Sequence, residues 1–126
     1  MFQKMTMPIH TPIAQAEIIV RPYGDIRRLA VKEMGLRNHQ LLFMTMGPRQ
    51  HTSRHYHPQE EIYFILTGAV VFCTEEGEIE ARAFDTIAFL ANEGHQVFNR
   101  SGSDTCEILL AISPLYDPNQ VTYLTS

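Results

Sequence analysis

Turn signals recur about every eight to twelve residues along this 126-residue chain, and that spacing narrows its possible folds more than any other feature. AEIIVRPYGD, HQLLFMTMGP, EEIYFILTG, AVVFCTEEGE, HQVFNRSGSD and TCEILLAISP each hold a short apolar or alternating run that stops at Gly, Asn, Asp or Pro. Helices of ordinary length need a longer stripe at helical spacing, and only IRRLAVKEMG admits one; with strands on both sides, it too is read as a strand. EEGE and SGSD are read as hairpin turns. VVFC and ILLAI are apolar on both faces, so both faces must be covered, as in a sandwich or a barrel. The expected class is all-β. No repeat, low-complexity tract or linker divides the chain, and its length suits one domain.

The net charge of -4 comes without any dense Lys/Arg block, which argues against nucleic acid and anionic lipid as partners. No segment approaches the roughly 18 apolar residues of a spanning helix, and the opening residues lack the apolar stretch of a secretory signal. Cys73 and Cys106 stand far apart in apolar surroundings, as reduced core thiols do. The expected setting is the cytoplasm, with no membrane partner.

The chemistry concentrates in HYHPQEEIYFILTG, from His55 to Gly68. On a strand, His55 and His57 share one face and Tyr56 takes the other. A bend at Pro58 would let Glu61, which heads the alternate set Glu61, Tyr63, Ile65, face the same volume. His95 opens a later strand, in NEGHQVFN, and can lie opposite the first pair. Three imidazoles and one carboxylate suit a first-row divalent ion: iron, manganese, nickel, cobalt, copper or zinc. The competing reading is a solvated polar lip on a buried strand, since a lone H-x-H pair is usually exposed. No Ser-His-Asp or Cys-His arrangement and no phosphate-cradling glycine loop is evident.

The string His55, His57, Glu61, Gly68, followed by His95 and Asn99, resembles the two motifs of the cupin superfamily across about residues 40–115. The first family motif is a turn glycine, H-x-H, three or four residues, Glu, six residues, Gly; the second ends H-x-x-x-N. This chain has Arg49 where the first motif has its turn glycine, and Phe84, Leu90 and Asn92 at turn positions of the second. Those positions carry loop geometry rather than ligand atoms. The resemblance implies a single jelly-roll β-barrel holding one divalent transition metal through His55, His57, Glu61 and His95. Residues 1–39 would add short N-terminal strands packing on the barrel or a partner, 40–115 the barrel core, and 116–126 a C-terminal tail.

Four protein ligands leave open metal positions for a small molecule, so the expectation is a metal-dependent enzyme acting on a small polar or carboxylate-bearing compound. Oxygenase, decarboxylase, isomerase and lyase chemistry all fit, and a non-catalytic ligand-binding module is the alternative. Tyr63 is the candidate catalytic phenol, with Ile65, Val97 and Met44 or Met46 as apolar walls. Arg49 and Arg54 are candidates to orient an anion, though loop arginines are more often solvated. Asn99 is read as satisfying backbone groups, and His10, His39 and His51 as exposed. Tyr56, Ile62, Phe64 and Leu66 point away from the ligands. Covering them against a second copy predicts a homodimer, with the strand around Ala16–Val20 crossing to the partner.

Overall fold

The structure, a computed structural model, describes residues 7–124. Its strands are β1 (Glu17–Arg21), β2 (Gly24–Ala30), β3 (Gln40–Met46), β4 (His55–Tyr56), β5 (Glu60–Thr67), β6 (Ala69–Thr74), β7 (Gly77–Arg82), β8 (Thr86–Phe89), β9 (His95–Phe98), β10 (Cys106–Ser113) and β11 (Thr122–Tyr123). Helix among the described residues is limited to short 3-10 turns, so the fold is all-β, and no helix among those residues is long and apolar enough to cross a membrane.

Two antiparallel sheets face each other. One runs β1-β2-β3-β10-β5-β8 and the other β11-β4-β9-β6-β7. Among the described residues no ladder joins the two, so the expected closed barrel is instead an open pair of sheets with free edges. The chain changes sheet between β5 and β6 at Gly68, whose φ of 82 suits glycine. A Cβ there would come within 2.6 Å of Cys106 Sγ, so a side chain is excluded on space as well. EEGE makes the expected hairpin, pairing Thr74 with Gly77.

Two local readings are corrected. SGSD does not form a hairpin, because β9 lies in one sheet and β10 in the other. The crossing is tied by Asn99, whose buried amide donates to the carbonyls of Met46, Gly47 and Asp104 at 3.2, 3.0 and 2.9 Å. Asn99 therefore satisfies backbone groups, as expected. IRRLAVKEMG is strand only to Ala30; Lys32–Met34 form a 3-10 turn closed by Gly35 in a left-handed conformation.

Alternation builds the core between the sheets. Cys106, Ile108, Leu110 and Ile112 of β10 face Val70 and Phe72 of β6 and Val97 of β9, with Met44, Met46 and Ile65 beside them. Phe72, Met46, Ile65, Val97 and Ile108 are wholly inaccessible. Burying a side chain of this size is worth about 1.5–3 kcal/mol, so this layer carries the stability. The same alternation continues β5 and β9 into Glu61 and His95, which sets the polar site at one end of an apolar core. Cys73 and Cys106 are both free thiols.

Arg49, Phe84 and Asn92, which stand where the cupin motifs have turn residues, are also the non-glycine residues with positive φ among the described residues, at 64, 73 and 65. Asparagine tolerates that region; arginine and phenylalanine do so at a cost of about 1–2 kcal/mol. Arg49 is exposed and forms no ion pair among the described residues. Arg49→Gly is expected to stabilise the fold by about 0.5–1 kcal/mol after glycine's extra unfolded-state entropy is subtracted, read as a higher urea midpoint. A lower midpoint would show that the arginine side chain contributes more than its backbone costs.

Candidate metal centre

Three strands and one bend assemble the site. β4 ends after Tyr56, the chain turns at Pro58-Gln59, and β5 returns with Glu61 beside His57, at 3.0 Å from Nε2 to Oε2. His55 pairs directly across from His95 at the start of β9. The bend expected at Pro58 therefore exists, and it is held from below by Gln59. This buried side chain donates to Leu115 O at 3.0 Å and to Gln120 Oε1 at 2.7 Å, fastening the C-terminal segment to the ligand loop. The tail adds a second clasp through β11, where Tyr123 pairs with His55.

His55, His57 and His95 converge so that one ligand atom from each lies within 4.8 Å of the others. Each ring is aimed in the same way, by a contact between Nδ1 and a backbone carbonyl two residues off. These run from His55 to Ser53 O at 2.6 Å, from His57 to Gln59 O at 3.1 Å, and from His95 to Glu93 O at 2.9 Å. A carbonyl can only accept, so every Nδ1 must carry the proton, and each Nε2 is left to present its lone pair inward. This is the arrangement that metal-ligating imidazoles need.

The donor set is self-repelling until something positive enters it. Glu61 Oε2 and His57 Nε2, both lone-pair donors, sit 3.0 Å apart and nearly sealed from solvent. His95 Nε2 lies 3.4 Å from the other carboxylate oxygen but is buried without a partner in hydrogen-bonding geometry. A proton or a metal ion between them removes the conflict. The residues therefore fit a divalent transition metal, both in chemistry and in the orphaned nitrogen. Burial acts to raise the Glu61 pKa, but the adjoining His57 and His95 imidazoles hold it at about 2. For His57 burial acts downward, and the Glu61 carboxylate more than offsets it, leaving the pKa raised. Burial lowers that of His55, which favours the neutral ring that a metal requires.

Tyr63 is buried two residues beyond Glu61, with its ring centroid 6.1 Å from that of His95. Burial first, then the neighbouring Glu61 charge, pushes its pKa well above the ordinary phenol value, so it stays protonated. A cavity of about 530 Å³ opens above Glu61, Tyr63, His55 and His57. Met44 lines it, whereas Met46, Ile65 and Val97 belong to the core underneath. Arg49 and Arg54 do not line it; Arg54 reaches back toward Thr74 O at 3.5 Å. The cations facing the cavity are Arg21, Arg28 and Lys32, joined by Tyr23 from the β1–β2 turn and by Tyr116 and Tyr123 from the tail. Sequence reasoning passed over this wall. The alternation of Ile19 and Arg21 on β1, and the tyrosines in an otherwise polar tail, were the signals available for it.

A two-sheet β fold with a carbonyl-oriented imidazole triad that could hold a metal ion defines the class of protein to which this chain is compared. The cupin domain model matches residues 42–112, over half the chain, and the protein belongs to that family. The polyketide cyclase RemF from Streptomyces resistomycificus superposes with a TM-score of 0.81 at 19% identity, over 95% of this chain and 87% of that one. A sugar phosphate isomerase of the cupin superfamily from Silicibacter pomeroyi gives 0.72 at 21% identity, over 91% of each chain. The Lactobacillus farciminis oxalate decarboxylase, in a formate complex, gives 0.77 at 20% identity; 97% of this chain matches 38% of that longer one. At these identities the likeness establishes the fold. A comparison with curated protein sequences finds no match.

Proposed function

We propose that this cupin is a metal-dependent enzyme acting on a small carboxylate-bearing molecule. His55, His57, His95 and Glu61 hold one divalent transition metal, and Tyr63 is the catalytic phenol. The observation that carries the reading is the three Nδ1–carbonyl contacts, which commit every Nε2 to the same buried point beneath a cavity. Bound there, the metal would supply Lewis-acid or dioxygen chemistry to a substrate oxygen. The protein's own contribution is positional. Burial under Tyr63 and Phe89 keeps water from the inner face of the triad, and Tyr63 holds its proton beside Glu61, available as a hydrogen-bond donor to a substrate atom entering from the cavity. The jelly-roll reading of the two sheets agrees with the cupin match, and the free thiols agree with a cytoplasmic setting.

The decisive experiment is turnover of a panel of small carboxylic acids by metal-loaded protein, with Tyr63→Phe alongside. Loss of about a hundredfold or more in kcat with the metal retained supports the catalytic phenol. A loaded wild type that binds acids but converts none of them is a ligand-binding module, and the enzyme reading then fails.

The outward face supports a homodimer. Ile18 and Val20 on edge strand β1, and Ile62 on β5, are exposed at 48%, 74% and 49%. β1 pairs with β2 of its own chain and leaves its other edge open to a partner. Sedimentation at micromolar concentration is expected to show a dimer that Ile62→Lys dissociates, and a wild-type monomer would overturn this assignment.

A further inference from the structure

Four of the protein's five tyrosines, Tyr23, Tyr63, Tyr116 and Tyr123, line the cavity above the triad, and only Tyr56 lies elsewhere. They arrive from separate parts of the chain: the β1–β2 turn, β5, the loop after β10, and β11. The Tyr116 ring lies 6.2 Å from His57, nearly perpendicular to it, and the Tyr123 ring lies 6.2 Å from His55. Tyr116 and Tyr123 remain 39% and 66% exposed, so their ring faces are left uncovered at the mouth of the cavity. Tyr116 stays a neutral phenol, its pKa pushed up to about 12 by burial first and by the neighbouring phenols after it.

The cationic side of the mouth is divided unequally. Arg28 is engaged by Glu17 at 2.7 Å and by Glu33 at 2.5 Å, which neutralises it. Arg21 and Lys32 make no ion pair among the described residues, and of the two it is Arg21 whose charge acts on both Tyr23 and Tyr116. Ile19, Ile26, Val31 and Leu42 supply apolar wall between the phenols. One unpaired guanidinium among aromatic edges and aliphatic surface suits a ligand with a flat apolar body and a single anionic group. A two- or three-carbon dicarboxylate would fill little of the roughly 530 Å³ and leave the tyrosine faces bare.

We propose that the cavity takes a planar aromatic carboxylate, its ring packed among Tyr23, Tyr116 and Tyr123 and its charge paired with Arg21. The proposal narrows the substrate class of the site assigned above and rests on that assignment only for what lies beneath the ring.

The test is calorimetric titration of the full chain, metal-free and metal-loaded, with 2-naphthoate, cyclohexanecarboxylate, neutral 2-naphthol and malonate. Tyrosine emission is followed in parallel; the chain has no tryptophan, so that signal reports chiefly on this cavity. Naphthoate is expected to bind at least about tenfold tighter than cyclohexanecarboxylate or malonate, in both metal states. Arg21→Ala should weaken naphthoate about tenfold and leave naphthol within about twofold, with Arg21→Lys restoring part of the loss. Tyr123→Leu should weaken both aromatics, and wild-type melting temperatures for these surface variants confirm that they fold. Cyclohexanecarboxylate or malonate binding as tightly as naphthoate, or Arg21→Ala weakening naphthol and naphthoate alike, overturns the proposal. Aromatic binding that persists in a protein unable to hold metal would defeat the metal reading alone; metal binding without aromatic preference would defeat this one alone.

Discussion

Alanine at His57 or at His95 is expected to empty the metal site, lowering affinity more than about a hundredfold, while elemental analysis of the wild type finds close to one divalent ion per chain. Each ring is held by a single Nδ1–carbonyl contact and aimed at one point, so no neighbouring side chain is placed to substitute for a lost nitrogen. Metal at a thousandfold over its Kd should stabilise the fold by about 4 kcal/mol, a rise in Tm of more than about 10 °C for a domain of this size. That rise should vanish in either variant. The pH dependence follows from the direction of the shifts. Glu61, at about 2, is ionised throughout the working range, whereas His57 has its pKa raised by the Glu61 carboxylate, so a proton competes there with the metal as the pH falls. Affinity is therefore expected to fall as pH drops through the histidine range, with release set by imidazole and not by carboxylate. A wild type that stays empty after reconstitution with iron, manganese, nickel, cobalt, copper and zinc would end the metal reading.

Gly24→Ala should be among the most damaging substitutions on the apolar side. Gly24 is buried, has φ 143, and closes the β1–β2 turn against β3. A methyl group there would overlap the Thr45 carbonyl and crowd the Met46 backbone, none of which is a flexible side chain that can swing aside. Backbone strain and overpacking together predict a loss of about 3 kcal/mol or more in urea unfolding. A loss below about 1 kcal/mol would mean that the β1–β2 ribbon lifts as a unit. Arg21 and Tyr23 flank this turn, so the cavity wall should be displaced in either case.

The parts of the fold legible in the sequence are those governed by alternation. Glu61, Tyr63 and Ile65 face inward on β5, as do His95 and Val97 on β9, because side chains on a half-buried strand can take only two directions. The candidate ligands were legible for the same reason, helped by the spacing of the cupin motifs. What was not legible depends on which strands pair. SGSD has the composition of a hairpin turn, and nothing local distinguishes a hairpin from a crossing between sheets; the three bonds from Asn99 make that distinction through residues far apart in sequence. Arg49 and Arg54 were nearest the histidines in sequence, whereas Tyr123 on β11 lies beside His55 and Arg21 on β1 lines the same cavity. Strand β11 is two residues long, too short to show a period.

β10 lies at the middle of its sheet, with β3 on one side and β5 on the other, although it follows nine of the other ten strands in the chain. A ribosome therefore makes both neighbours well before the strand that joins them. Until Cys106–Ser113 emerges, β3 and β5 each expose a row of unsatisfied backbone groups beside apolar side chains, the kind of surface that chaperones bind and that pairs wrongly with other nascent chains. Slow decoding or truncation just ahead of residue 106 would prolong that state. Codon-level variation there is expected to change the yield of soluble protein without altering a single residue of the finished molecule.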